Sequence, residues 1–272
     1  KEVLSDGVEA VVHLAAFKAA GESMIDPGKY STNNISGTLC LLNAMAAIEV
    51  QTIVFSSTAA VYGYPEYLPM DEDHPTEPIN FYGYTKLAIE QSLKWYGQLK
   101  GIKFAALRYF NAAGYNGDSR VLGLEKNPAN LLPIVMEVAS EQKQRFELFG
   151  DDYKTPDGTG IRDYIHVTDL ASAHLLALDY LQSHHCLTVN LAAGESHSVL
   201  DVVKMAKTVT NRDIPYKVVD RRPGDPAELV ATSKFAQETL GWKPKHSTLE
   251  EILLSMWKVY RHHFVKEPEV LA

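Results

Sequence analysis

Short apolar runs that stop at small polar residues alternate along this chain with longer stretches of helical spacing. Residues 8–16, Val-Glu-Ala-Val-Val-His-Leu-Ala-Ala, read as a buried strand, with Phe17 and Lys18 at its C-terminal lip. Pro27 suits a first helical turn. From residue 30 to residue 49 the apolar positions Ile35, Leu39, Leu42, Met45 and Ala46 recur at helical intervals. Residues 52–55, Thr-Ile-Val-Phe, form a second β-branched run that breaks into Ser56, Ser57 and Thr58. A helix over 83–100 ends at Gly101, a suitable C-cap. Residues 103–108 are a third strand, opening onto a polar and aromatic lip at 109–114. Strands separated by helical crossovers predict an α/β fold with a parallel sheet.

After Gly114 the pattern changes. Residues 115–128 are a polar loop, 130–142 are helical, and 147–150 are a short strand and turn. Residues 151–160 are a polar loop of the sort that closes over a ligand. A helix over 168–181 and a strand over 187–191 follow. Ser198 caps a helix that turns Val199, Val202, Val203 and Ala206 inward. A strand over 216–219 leads to the cationic turn Asp220-Arg221-Arg222-Pro223-Gly224-Asp225. A short helix runs from Ser233 to Gly241, and Thr248 with Glu251 make a capping box for a last helix over 249–263.

The chain has 272 residues, 46% hydrophobic and 22% charged, which suits one large or two small domains with a substantial core. A net charge of −8 without a basic cluster argues against nucleic acid and anionic membrane as partners. A phosphorylated substrate stays open, because it needs only a few local cations. No apolar run reaches the roughly 18 residues of a membrane span, and no signal peptide stands at the start. Cys40 and Cys186 sit in apolar surroundings and read as reduced core residues of a cytoplasmic protein. The histidines lack ligand spacing, the doublets at 184–185 and 262–263 read as solvated helix ends, and no metal site is expected.

Ligands of open α/β sheets bind at the C-terminal ends of the strands, where Ser56, Ser57 and Thr58 fall. Tyr82 and Lys86, four apart, share one helix face. An ammonium beside a phenol favours the phenolate, which makes Tyr82 a candidate general base. Either feature alone is common: such a pair occurs on many helices, and Ser-Ser-Thr after a strand is often a turn or cap. Joined strand to loop to helix, they are far more specific. Asn33 and Asn34 would be solvated, or would bond ribose or amide groups if they face a cofactor groove. The acids at 71–73 read as a solvated face. Arg162 and Arg222 each suit a surface ion pair alone; together, after two ligand-side loops, they suit a diphosphate.

Several stretches resemble one family in order along nearly the whole chain. They are residues 13–18 (His-Leu-Ala-Ala-Phe-Lys), 33–38 (Asn-Asn-Ile-Ser-Gly-Thr), 55–63 (Phe-Ser-Ser-Thr-Ala-Ala-Val-Tyr-Gly), 82–86 (Tyr-Gly-Tyr-Thr-Lys), 108–111 (Arg-Tyr-Phe-Asn), 157–167 (Asp-Gly-Thr-Gly-Ile-Arg-Asp-Tyr-Ile-His-Val) and 221–225. The chain thereby resembles the UDP-glucose 4-epimerases of the extended short-chain dehydrogenase/reductase family. The resemblance implies a Rossmann-like, doubly wound parallel sheet over 1–112. It implies a smaller α/β substrate domain over 113–272, with part of 164–195 returning to the first. It implies NAD as cofactor, a UDP-hexose as substrate, and a homodimer through the helices near 30–49 and 83–100. Tyr82 would take the proton of the sugar 4-hydroxyl, Thr58 would share a hydrogen bond with it, and Lys86 would hold the nicotinamide ribose. Leu14, Ala15, Ala16, Phe17, Lys18, Asn33, Ser56, Ser57 and Phe110 would join Tyr82 and Lys86 around the cofactor. Asn111, Asn130, Leu148, Phe149, Arg162, Tyr164, Arg222 and Asp225 would join Thr58 around the UDP-sugar. Leu229 would set pocket size, between the bulky and small residues the family uses there.

The sequence holds no G-x-G-x-x-G turn for a dinucleotide pyrophosphate. The resemblance therefore implies an N-terminally truncated sheet lacking on the order of 60 residues, at about 30 per βαβ unit. The strand near 10–14 would be an exposed apolar edge, and the chain on its own is expected to bind NAD poorly. Two rival readings stand beside the epimerase. Nucleotide-sugar 4,6-dehydratases resemble this chain but place Asp-Glu where Ala59 and Ala60 stand. An inactive UDP-sugar-binding or dimerising module is separated from both by assaying turnover with and without NAD⁺.

Overall fold

The computed structural model describes residue 4 and residues 7–118, 120–222 and 224–265. Its elements in chain order are β1 (Val11–His13), α1 (Ala20–Ser23), α2 (Pro27–Tyr30), a π-helical stretch (Ser31–Ser36), α3 (Gly37–Ala47) and β2 (Thr52–Ser56). A 3-10 turn (Ala59–Val61), α4 (Phe81–Lys100), β3 (Lys103–Tyr109), β4 (Asn111–Ala113), α5 (Leu131–Ala139), β5 (Phe146–Phe149) and β6 (Ile161–His166) follow. The chain continues with α6 (Val167–Ser183), β7 (Cys186–Leu191), β8 (Ser196–Ser198), α7 (Val199–Thr210), β9 (Tyr216–Val219), β10 (Glu228–Leu229), α8 (Lys234–Leu240) and α9 (Leu249–Phe264). Two units result. One comprises residues 1–110, 171–191 and 231–243; the other comprises 111–170, 192–230 and 244–272.

The first unit holds a parallel sheet in the order β1-β2-β3-β7. Ile53, Val54 and Phe55 are fully buried, which is why β2 reads as a continuous apolar run rather than an alternating one. Ile53, Phe55, Phe104 and Ala106 pack with Leu42 and Met45 of α3 and Ile89 and Leu93 of α4. Burial of each of the larger side chains contributes about 1.5–3 kcal/mol. Helix α4 opens at Asn80, whose side chain accepts the Gly83 N–H at 2.8 Å, and closes at Gly101 with φ +70°.

Four expectations change in this unit. Strand β1 covers only Val11–His13 and is not buried; Val12 is 42% and Leu14 62% exposed. It pairs with β2 over three residues, and the chain leaves the sheet after His13. The helix expected from residue 30 begins at Pro27 and passes through the π-helical stretch, which turns Asn34 inward. Cys40 and Cys186 are exposed free thiols. Cys40 lies two residues from both Thr38 and Leu42, the buried face of α3, and so falls on the opposite side. The acids at 71–73 are not one solvated face either. Glu72 accepts the Asn190 N–H at 2.6 Å, and Asp71 accepts from Tyr67 and the Asp73 N–H; only Asp73 is exposed.

In the second unit β6 pairs in parallel with β4 and β10 and antiparallel with β8, while β5 and β9 form a separate parallel pair. Leu132, Val135 and Met136 of α5, Val202 and Ala206 of α7, and Ile252, Leu253 and Met256 of α9 make its core. The lip expected at 109–114 is in part a strand, β4. Strand β6 was hidden by the polar look of Arg-Asp-Tyr-Ile-His, although its last four residues are buried. The capping box expected on α9 is half made: Thr248 accepts the Glu251 N–H, but the Glu251 carboxylate turns to His246 Nδ1 at 2.6 Å. The complete box is on α7, between Ser198 and Asp201. Among the described residues no helix is long and apolar enough to cross a membrane.

Candidate active site

Because β1, β2 and β3 run in parallel, their C-terminal ends share one edge, and the candidate residues of the first unit collect there. Gly83 makes the approach of α4 possible. A Cβ at this position would sit 2.3 Å from the Ala60 carbonyl oxygen, so only glycine lets the first turn of α4 rest on the 3-10 turn after Thr58. The Thr58 hydroxyl accepts the Ala60 N–H at 3.2 Å and lies near enough to the Tyr82 phenol to act on its titration. Lys86, buried, donates to the Ser56 carbonyl at 2.7 Å and passes 4.6 Å from the Phe55 ring centre.

The electrostatics depart from the sequence expectation. Burial pushes Tyr82 up to about 12, against the neighbouring Thr58 hydroxyl, which lowers it; Tyr109 adds a smaller upward push. Lys86 is not among the groups acting on this phenol; its ammonium is bonded to the strand carbonyl of Ser56. Burial lowers Lys86 itself to about 8, opposed by the negative charge of Glu90. His13, whose Nε2 lies 2.9 Å from Thr38 Oγ1, is held below its ordinary value by burial and then by the Lys86 charge.

Around the lip, Leu14, Ala15, Phe17 and Lys18 are exposed, while Ala16 and Phe110 are half-buried. Asn33 is exposed and donates to Asn34 Oδ1. It is Asn34, buried, that fixes this segment: it accepts the Phe17 N–H at 2.9 Å and donates to the Phe17 carbonyl at 3.0 Å and to Thr85 Oγ1 at 3.2 Å. Sequence reasoning passed over this clamp, although an Asn pair opening a helix was the available signal. The hydroxyls of Ser56 and Ser57 are both committed to protein, to His174 Nε2 at 2.9 Å and to Glu90 at 2.5 Å.

The second unit contains a cavity of about 550 Å³ lined by Asn111, Asn130, Leu148, Phe149, Arg162, Tyr164, Arg222 and Asp225 among others. The residues that the resemblance assigns to the UDP-sugar thus line one space, apart from Thr58, which belongs to the first unit, and Leu229. Leu229 lies in β10 beside Arg162 but is not among the lining residues. The Arg162 guanidinium is ion-paired with Asp225 and also donates to the Ile161 and Pro226 carbonyls. Arg222 stacks on Phe149 at 3.9 Å, is exposed, and makes no ion pair among the described residues. Arg221 instead pairs with Asp152 at 2.6 Å; Pro223 of this turn lies outside the described residues. The 151–160 loop is tied down from within: Asp157 accepts from Thr159 and from Ser198 Oγ, the cap of α7.

Residues 1–192 match the NAD dependent epimerase/dehydratase family. A UDP-glucose 4-epimerase of Streptococcus mutans is 46% identical over 252 residues, 92% of this chain and 75% of the relative. The crystal structure of the Brucella ovis UDP-glucose 4-epimerase in complex with NAD is similar at 41% identity and a TM-score of 0.93, over 95% of this chain and 80% of that one. The Bifidobacterium longum UDP-glucose 4-epimerase in complex with NAD⁺ and UDP is similar at 38% identity and a TM-score of 0.89, over 96% and 78%.

Proposed function

Since the chain belongs to the NAD dependent epimerase/dehydratase family, we propose that it interconverts UDP-galactose and UDP-glucose by oxidation and re-reduction at C4. The observation that carries this reading is the gathering of Thr58, Tyr82 and Lys86 at one end of the sheet, with Lys86 bonded to the Ser56 carbonyl and the first turn of α4 seated on the turn after Thr58. Two hydroxyls and a buried ammonium are the donor set that removal and return of a secondary-alcohol proton requires.

The residues present fit the nicotinamide–ribose half of NAD: a backbone segment at 14–17 clamped by Asn34, the Tyr82 hydroxyl, the Lys86 ammonium, and half-buried Phe110. When bound, NAD⁺ supplies an acceptor that takes the C4 hydride and gives it back. Tyr82 holds the proton of the C4 hydroxyl, Thr58 orients that hydroxyl, and Lys86 fixes the ribose. In the second unit Arg222 offers its cation to the diphosphate, Phe149 gives an apolar face, and Asn111 and Asn130 offer amides. The test is interconversion of the two UDP-sugars with NAD⁺ supplied. Retained UDP binding without turnover would overturn the reading.

Homodimerisation through α3 and α4 belongs to the same proposal. Helix α4 presents Tyr84, Trp95 and Leu99 to solvent, the last two 62% and 71% exposed, which is an apolar stripe at helical spacing. A cytoplasmic location is supported by the two exposed free thiols, which a reducing compartment preserves.

A further inference from the structure

Behind the lip of the first unit runs a buried polar chain that the proposed chemistry leaves unused. Ser57 Oγ donates to Glu90 Oε1 at 2.5 Å. The Glu90 carboxylate is gripped by Arg108 through Nε at 3.0 Å and Nη2 at 2.6 Å. Arg108 Nη1 donates to the Tyr62 hydroxyl at 3.0 Å, and that hydroxyl donates to Asn190 Oδ1 at 2.6 Å. Glu90 and Arg108 are 1% and 5% exposed. A buried pair of this kind is weak evidence for stability, since hydrophobic replacements are often as good; what needs a reason is where it sits. Glu90 is one helical turn beyond Lys86, and its other partner, Ser57, is the residue before Thr58.

Resting on the function proposed above, we infer that Glu90 is a positioning residue: held by Arg108, it fixes the β2 lip that carries Thr58 through Ser57 and places a buried negative charge one helical turn from Lys86. Every charged or titratable neighbour of Lys86 bears on this. His13 of β1 faces it and is itself affected by the Lys86 charge. Strand β2 offers the Ser56 carbonyl and the Phe55 ring. Strand β3 brings Arg108, neutralised by Glu90, and Tyr109; α6 brings His174, bonded to Ser56 Oγ. On α4 itself lie Tyr82 and Glu90. Glu90 is the one group among these that favours the ammonium by its charge. Without it, Arg108 would add an unpaired positive charge beside a buried cation.

Two variants separate the two roles. Glu90→Gln removes the charge and keeps the shape. Ser57→Ala keeps the ion pair and cuts the link to the lip. The Lys86 titration is read by NMR of ¹³Cε-lysine-labelled full-length protein, with the signal assigned through Lys86→Met. In Glu90→Gln the midpoint is expected to fall by about one pH unit or more, the size of effect that loss of a close opposite charge produces. In Ser57→Ala it should stay where it is in the wild type. Turnover of UDP-galactose should fall by about tenfold to a hundredfold in Ser57→Ala with KM little changed, as misplacement of a reacting group costs. A wild-type Lys86 midpoint in Glu90→Gln, in protein that melts cooperatively, would overturn the electrostatic role. Full turnover in Ser57→Ala would overturn the positioning role. If Glu90→Gln does not fold, Glu90→Gln with Arg108→Gln, which leaves no lone charge, replaces it and should still lower the midpoint. Wild-type protein inactive with NAD⁺ supplied would instead sink the epimerase reading, and the Lys86 titrations would still decide the charge role of Glu90.

Discussion

The Lys86 ammonium donates to the Ser56 carbonyl at 2.7 Å, joining the first turns of α4 to the end of β2. This bond holds a cation where burial disfavours it, and Lys86 titrates near 8 instead of the ordinary 10.5. Below about pH 8 the folded protein therefore bears the full cost of the buried charge. Between about 8 and 10.5 the unfolded chain holds a proton that the folded one has released, so stability from this group rises with pH.

Lys86→Met should consequently be more stable than the wild type at pH 7 and inactive. The lowered titration corresponds to about 3 kcal/mol, and the lost bond to Ser56 offsets about 1–2 kcal/mol of it. A net gain of about 1–2 kcal/mol is expected, shrinking to nothing or reversing by pH 10. Thermal melts of both proteins at pH 7 and 10 check it; a destabilised variant at pH 7 would refute it.

How much of this was legible beforehand differs between elements for physical reasons. Strands β2 and β3 announced themselves because a strand buried on both faces must be apolar at nearly every position. The caps at Asn80, Gly101 and Ser198 are local side-chain chemistry, and Gly101 and Ser198 were readable as such. Strand β6 was not, because Asp163 and His166 are buried by tertiary partners: Asp163 accepts the Ala193 N–H, and the His166 ring meets Ser255. The Asn pair signalled a role for Asn34 but not its partner, and the fate of Glu72 left no signal, since the partners Phe17 and Asn190 lie 17 and 118 residues away. Spacing alone put Tyr82 and Lys86 on one helix face. It could not say that the ammonium would end on a strand carbonyl.

Tyr82→Phe should lower UDP-galactose turnover by about 10²–10⁴-fold, the usual contribution of a general acid–base group. UDP affinity, measured by calorimetry, should not change, because the cavity lined by Arg162 and Arg222 is untouched. Near-normal turnover would remove Tyr82 from the role given to it.

Asp163 makes stability pH-dependent in the opposite sense to Lys86. Its Oδ1 accepts the Ala193 N–H, its Oδ2 is buried without a partner among the described residues, and burial raises it from 3.8 to about 7. The folded carboxyl keeps its proton up to about pH 7 while the unfolded one loses it near 3.8. Stability from this group is full below 3.8 and is lost as pH rises to about 7. Asp163→Asn should therefore melt higher than wild type at pH 8, by about 1–3 kcal/mol, with the gap narrowing towards pH 5. A gap independent of pH would mean that the carboxyl does not titrate in this range.

Trp95 offers a direct test of the dimer. Trp95→Asp places a charge in the middle of the exposed apolar stripe of α4 without touching the core positions Ile89 and Leu93. Sedimentation should show a dimer for the wild type and a monomer for the variant, both with native circular dichroism. A wild-type monomer at micromolar concentration would end the proposal.

Arg222 and Arg162 both line the cavity but should not contribute alike. Arg162 is already matched by Asp225 and by backbone carbonyls, so its charge is largely answered within the protein. Arg222 rests on Phe149 with its guanidinium edge open to solvent and no carboxylate on it among the described residues. A diphosphate would gain most from the unanswered cation. Arg222→Ala should weaken UDP binding by about tenfold to a hundredfold, the range of a charge-assisted hydrogen bond. It should leave uridine binding almost unchanged, because uridine carries no phosphate. Raising the salt should narrow the difference for UDP only. Equal losses for UDP and uridine would show that Arg222 acts through Phe149 and the nucleoside rather than through charge.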